Sequence, residues 1–432
     1  MSFLAKLASL TRRADPAPRR RSLDAATGGR RAAGLGVSQG APAETASAAI
    51  VRQRARHAAM NNPWIGNAVG NMVAALVGSG MRPAPLHGDL AARRRLTRAF
   101  DAWAADADWH GQSDLWGQQA LIARHLVVDG EALVILRDTD EGLRVQVLPP
   151  EHLDESKSVV GADGRVIVSG VEYDAQGRRV AYWILPERPA SQWQTYAPSV
   201  RVDAADVLHI VHPLGAGQTR GLSWLAPIIL TASELDQLTD ALLVGAKVSA
   251  MFAAFITNTA DPSGVDDMKA DELSLEPGAV RILPGGADIR FTSPQQAAQG
   301  IEHAKLNLRA MAAGLGIPEH MLTGDLSGAN YSSLRAGLLP FRARMEQVQY
   351  HTLVPQLLRP IWRRWLALEV AAGRADAMIE ADWIAPRPQQ VDPLKDAEAT
   401  EKHLAMGLTT KARAIAELGW NPDDLDDEAT HD

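Results

Sequence analysis

Apolar residues Ile65, Val69, Met72, Val73, Leu76 and Val77 recur at the spacing of one helix face. They predict a helical stretch over 46–78, broken at Asn61-Asn62-Pro63 and ended by Gly78-Ser79-Gly80. Two more helices are predicted over 89–108 and 113–128. From residue 130 the pattern changes to short β-type runs: Ala132–Arg137, Leu143–Leu148, Val166–Tyr173, Arg179–Leu185 and Val207–His212. Asp163-Gly164 and Ala175-Gln176-Gly177 read as hairpin turns between them. Arg220–Met251 then reads as one long helix, with Ser223 as N-cap and Pro227 near the first turn. Its ~29 residues would extend about 43 Å, a rod that packs on neighbours more than a core helix. Residues 252–296 hold short mixed elements, with Val280–Leu283 and Ile289–Thr292 flanking a Pro284-Gly285-Gly286 turn. A helix over 297–315 is stopped by Gly314, Gly316 and Pro318, and Gly324–Asn330 is a small polar loop. Tyr331–Ala372 carries a second very long helical pattern, which Pro340, Pro355 and Pro360 should each kink or break. A Pro-rich connector (Ala385–Pro393), a short helix and an acidic end complete the chain. Helices followed by strands make the class α+β.

The 432 residues suffice for two or three domains, and 46% hydrophobic with 22% charged residues is the balance of a folded soluble chain. The absence of cysteine excludes disulfides and thiolate zinc sites. A net charge of −7 argues against tight electrostatic wrapping of nucleic acid. Arginine outnumbers lysine 36 to 8, which reads as coding bias of a GC-rich genome ahead of selection for Arg–phosphate forks. The charge is unevenly spread. Residues 1–31 hold eight basic residues against Asp15 and Asp24, so 1–45 reads as a flexible basic arm. Asn421–Asp432 holds six acids and no base, a solvated tail ahead of a partner-binding one. No secretory signal is expected, and Ala241–Ile256, the most membrane-like stretch, falls short of the ~20 residues a span needs.

The search for chemistry finds no phosphate-binding loop, no His-Glu-x-x-His pair and no nucleophile elbow. Gly34-Leu35-Gly36 lacks dinucleotide spacing, the twelve histidines are scattered, and the carboxylates form no acid–base pair along the chain. The expectation is a protein without catalytic residue, cofactor or metal. What remains informative is architecture: two very long helical patterns around a compact mixed segment, with polar loops beside them.

At Gly314-Leu315-Gly316-Ile317-Pro318, then Thr323-Gly324-Asp325, then Asn330-Tyr331-Ser332-Ser333-Leu334-Arg335, the sequence resembles the lambda-type phage portal family. The resemblance extends over about 45–420. It takes in Arg54–Pro63 with Val77–Pro83, Asp129-Gly130-Glu131, Leu148–Asp154, Gly170–Asp174, Val207–Ile210, Gln218–Pro227, Trp383–Pro386 and Asp392–Ala397. It implies a subunit of a homo-oligomeric ring, usually of twelve, at one capsid vertex of the virion, through which double-stranded DNA passes without sequence specificity. The implied layout is an arm over 1–45, a wing over 46–220, a first stem helix over 221–251, a clip over 252–296 and a second stem helix over 297–317. A tunnel-loop region over 318–330, a long kinked helix over 331–372 and a short crown with acidic tail over 373–432 complete it. The implied partners are terminase, major capsid protein and scaffold, and a head-completion or adaptor protein, with no membrane. Within this layout Ser327, Asn330, Ser332 and Ser333 either border the channel or serve as plain loop and cap residues, Asn330 or Ser332 being the N-cap. Arg335, Arg342 and Arg344 either contact phosphates or bridge neighbouring subunits, the second reading being favoured by the packing a long helix needs. A different head component, a soluble α+β enzyme and a membrane pore are the rival classes.

Overall fold

The computed structural model describes residues 41–161, 163–187, 197–251, 255–258, 287–290, 295–328, 330–386 and 392–423. Residues 1–40 of the basic arm, Val280–Leu283 and the acidic end from residue 424 lie outside them, as do the predictions made there; residues 41–45, expected as the end of the flexible arm, are instead the first turn of a helix. The chain divides into a unit ending at Ala43 and a unit over Glu44–Asp432, and the second is described here.

The helices α1 (Ala41–Asn61) and α2 (Pro63–Val77) meet at the predicted break, where the Asn62 side chain accepts from Ile65 N and Pro63 opens the next helix. Strand β1 (Arg82–Pro85), α3 (Leu90–Ala104) and α4 (Leu115–Val128) follow, the two helices starting under Asp89 and Asp114 caps. Then β2 (Glu131–Thr139) and β3 (Gly142–Leu148) form a hairpin, and β9 (Val207–Val211) pairs with the other edge of β2 to give a sheet in the order β3-β2-β9. Between them a second antiparallel sheet runs β4 (Val159–Val160), β5 (Val166–Val168), β6 (Val171–Tyr173), β7 (Arg179–Ile184), β8 (Val200–Asp203). The run expected over Val166–Tyr173 is therefore two strands, folded back at Ser169-Gly170, both at positive φ. Both predicted hairpin turns are present, joining β4 to β5 and β6 to β7.

Strand β2 is buried on both faces. Ala132, Val134 and Leu136 enter the main core, while Leu133 and Ile135 pack with Leu153, Val171, Tyr182, Ile184 and Val207. The main core centres on Phe100, whose ring lies 5.0 Å from Trp103, 5.3 Å from Trp362 and, edge-on, 5.0 Å from Trp365.

The first long helix, α5, spans Ile229–Met251 rather than the predicted 221–251. Its expected first turns are diverted. Arg220 is drawn into an internal ion pair, and Trp224, Leu225 and Ile228 insert into the core, so Ser223 caps no helix and its hydroxyl accepts from Leu225 N. A ladder of β10 (Phe255–Asn258) and β11 (Ala287–Arg290) leads to α6 (Gln295–Leu315), which replaces the expected 297–317. Gly316 at φ 67° ends it as predicted. After the short α7 (Glu319–Thr323) come α8 (Tyr331–Val348), a ten-residue π-helical segment over Gln349–Leu358, and α9 (Arg359–Ala371). The three prolines do not break this run. Pro340 lies within α8, Pro355 within the wider π turns, and Pro360 opens α9. A proline lacks an N–H and crowds the preceding turn, and a π turn relaxes both demands. Finally β12 (Ala381–Ile384) pairs with β1, followed by α10 (Pro393–Ala405) and α11 (Lys411–Glu417), two helices where one was expected.

Candidate functional site

The segment the sequence singles out begins at α7. Asn67 and Asn71 on α2 donate to the carbonyls of Met321 and Leu322, which fastens α7 to the core. Gly324, left-handed at φ 72°, then turns the chain outward. In the exposed loop Asp325 accepts from Ser327 N at 2.8 Å, and this bond holds its carboxyl below the usual range. Asn330 caps α8. Its side chain accepts from Ser333 N at 2.9 Å, and Ser333 Oγ accepts from Asn330 N at 3.1 Å, a reciprocal capping box. Ser332 is exposed and is not the cap.

The three arginines separate. Arg335 pairs with Asp396 of α10 at 3.3 Å. Arg342 is half-buried. Arg344 donates to the Leu315 carbonyl at the end of α6, and its guanidinium lies 5.5 Å from the Trp224 ring. Burial lowers its pKa from the ordinary arginine value. The structure therefore puts Arg344 on a joint between α6, α8 and the segment before α5. Other cations beside the loop also have acid partners: Arg309 pairs with Glu319 and Lys305 with Glu302.

Sequence reasoning missed a second polar constellation, assembled from distant segments. Glu131, at the head of β2, is 1% exposed. Arg220 grips both its oxygens, with Nε at 2.9 and 3.0 Å, while His209 Nε2 donates at 2.9 Å and Gly221 N at 2.8 Å. Arg52, equally buried, lies 3.5 Å away and bonds Glu155 at 2.7 Å. Beside it Arg56 binds Asp129 with two nitrogens and pairs with Glu151, and His125 Nδ1 contacts Asp129 at 2.5 Å. Burial alone would raise the Glu131 and Asp129 carboxyls. Arg220 with His209, and His125 with Arg56, outweigh it and hold both below their usual range. Burial keeps His209 below the ordinary histidine value, so it is neutral and donates through Nε2.

Backbone approach makes this possible. Gly130 (φ 88°) and Gly221 face each other so closely that a β-carbon on Gly221 would strike the Gly130 carbonyl. Four stretches of the sequence resemblance, Arg54–Pro63, Asp129-Gly130-Glu131, Leu148–Asp154 and Gln218–Pro227, thus converge on one buried ionic joint between α1 and the sheets. The signal that could have found it is an acid directly before the apolar run Ala132–Leu136. Its charges are buried or half-buried and paired with one another, so it fixes geometry. Among the described residues no group of three or more histidine or acidic side chains is placed to hold a metal ion, and no helix is long and apolar enough to cross a membrane.

Residues 28–349 match the family described as phage portal protein, lambda family. The chain is 24% identical over 371 residues to a probable portal protein of Halomonas phage phiHAP-1, covering 79% of this chain and 70% of that one. It is 24% identical to the portal protein of Escherichia phage N15, covering 88% and 84%, and 24% identical to portal protein B of Escherichia phage lambda, covering 60% and 56%. Among solved structures, a chain from the neck of a native gene transfer agent particle, computed with C12 symmetry, aligns over 91% of this chain and 98% of its own at 15% identity and a TM-score of 0.44. An HK97-family portal protein from Corynebacterium diphtheriae aligns over 80% and 96% at 14% identity and a TM-score of 0.32.

Proposed function

The chain belongs to the lambda family of phage portal proteins, non-enzymatic components of the virion at its head–tail connector, and from that premise we propose that its copies close into a ring of about twelve around a channel for double-stranded DNA. The observation that carries this reading is the uncovered apolar surface of the long helices. Leu243 and Val244 on α5, Ile301 and Leu306 on α6, and Leu339 on α8 are all exposed, and α5 buries nothing beyond Leu235 among its described side chains. A rod of this kind is completed by the next copy in a head-to-tail interface that closes by rotation.

In this reading residues 46–220 form the wing and α5 and α6 the stem. Residues 252–296 form the clip, 318–330 the tunnel-loop region, 331–372 the kinked helix behind it, and 373–432 the short crown. Terminase and later a head-completion or adaptor protein dock on the clip, while capsid protein and scaffold surround the wing. Ser327, Asn330, Ser332 and Ser333 border the channel, and Arg335, Arg342 and Arg344 serve packing within and between subunits. The electrostatics support a channel that does not grip. The one charge in the Gly324–Asn330 loop is the Asp325 carboxylate, the neighbouring Arg309, Lys305 and Arg335 are paired, and twelve copies at −7 total about −84. Electron microscopy with a light-scattering mass tests this. A ring of about a dozen subunits with an axial hole is expected. A uniform monomer or dimer at high concentration and across salt conditions overturns it.

A further inference from the structure

Strand β3 is the outer strand of its sheet, and only part of its free edge is occupied. Val145 uses that edge fully: its N–H donates to the Ala107 carbonyl and its carbonyl accepts from Trp109 N. The neighbouring chain then leaves in a tight turn, with Gly111 N donating to Asp108 O and Gly111 at φ 62°. Two residues further along β3, Val147 presents the same edge by the alternation of an antiparallel ladder, and no hydrogen bond meets it there among the described residues.

A cleft of about 370 Å³ opens at this place. Its lining is apolar at Leu148, Pro149 and Ile184 and polar at Arg137, His110 and His152. Arg137 is braced in two directions: its Nε donates to Gln146 Oε1 at 2.7 Å, and its guanidinium lies 4.8 Å from the centre of the Trp109 ring. No carboxylate pairs with it among the described residues, whereas the neighbouring Asp138 is taken by Arg364. A preset guanidinium without an acid is complementary to an anion. A single guanidinium beside an apolar wall and an open strand edge suits a peptide, whereas a nucleic-acid backbone needs a track of cations.

We propose that this cleft docks an extended acidic peptide segment of another protein, main chain along Val147, one carboxylate on Arg137 and an apolar side chain on the Leu148–Pro149 wall. The Arg–Trp pair is of the type that dominates binding energy at protein interfaces.

The test is fluorescence anisotropy of the full chain with a fluorescein-labelled Leu-Glu-Leu-Glu-Leu peptide, against a Leu-Gln-Leu-Gln-Leu control. The acidic probe should bind saturably and the control at least about tenfold more weakly, and Arg137→Gln should remove the difference. Equal binding of the two peptides to the wild-type chain overturns the proposal, as does unchanged binding by Arg137→Gln. Hydrogen exchange on the wild-type chain needs no variant: the acidic probe should slow exchange of the Val147 amide, and no slowing overturns the strand-edge geometry. A peptide of residues 421–432 that displaces the probe at a lower concentration than the probe's own would make the occupant a second copy's tail and overturn the assignment to another protein.

Discussion

At Glu131 a carboxylate lies in the interior with two guanidinium groups and an imidazole around it, the partners 78 to 89 positions away in the chain. That separation is why the joint was illegible: each charge alone looks like a surface residue, and only the fold brings them together. Glu131→Ala takes from the buried Arg220 the acid that grips it with both oxygens and leaves Glu155 as the one carboxylate it shares with Arg52, and should cost roughly 3–5 kcal/mol in urea unfolding. The pH dependence follows from the same contacts. Glu131 and Asp129 have folded pKa values below their unfolded 4.5 and 3.8, so their contribution is full above about pH 4.5 and lost as pH falls further. His209 is also depressed, from 6.5, so its share begins to go as pH falls below that value. Melting temperature should therefore decline from about pH 6.5 and more steeply below about 4.5, and a flat profile across that range would contradict the pairing. The capping of α8 was readable to within two residues, Asn330 or Ser332. The reciprocal bond from Ser333 decides for Asn330, a choice that rests on hydroxyl geometry absent from the residue pattern.

At the scale of elements, periodicity located the helices because their apolar faces enter one core, and it located β2, β3 and β9 for the same reason. It failed at 221–228, where helix-forming residues are held in irregular backbone by Arg220 and the buried Trp224. It also missed β1, whose Pro83 and Pro85 argue against a strand and whose partner lies some three hundred residues on. The π segment shows the opposite override: Pro355 should have broken a helix, yet three side chains fasten the widened turns. Gln349 donates to the carbonyls of Ala75 and Leu76, Thr352 meets His212, and Gln356 exchanges two hydrogen bonds with Val211 at 2.8 and 3.0 Å. Gln356 thus occupies the edge of β9 as a neighbouring strand would. Gln356→Ala should destabilise by about 1–3 kcal/mol and speed exchange of the Val211 amide specifically. Exchange that rises everywhere equally would mean the clamp is not local.

For the whole molecule, the symmetry of the proposed ring would multiply each substitution. Ser327→Arg would place about twelve new cations around the channel of the proposed ring, each able to hold a phosphate. Heads assembled with it should contain shortened genomes, the deficit shrinking as salt rises, as read by the length of protected DNA. Full-length genomes at low salt would remove Ser327 from the channel wall. The pairing of β1 with β12, and of Phe100 with Trp362, Trp365 and Trp383, has a further consequence in time. The first hundred residues lack these distant partners until position 384 has left the ribosome, tens of seconds later at ~5–20 residues per second. A nascent subunit therefore has no finished core to offer a neighbour while it is being made, and assembly must wait for release of nearly the whole polypeptide.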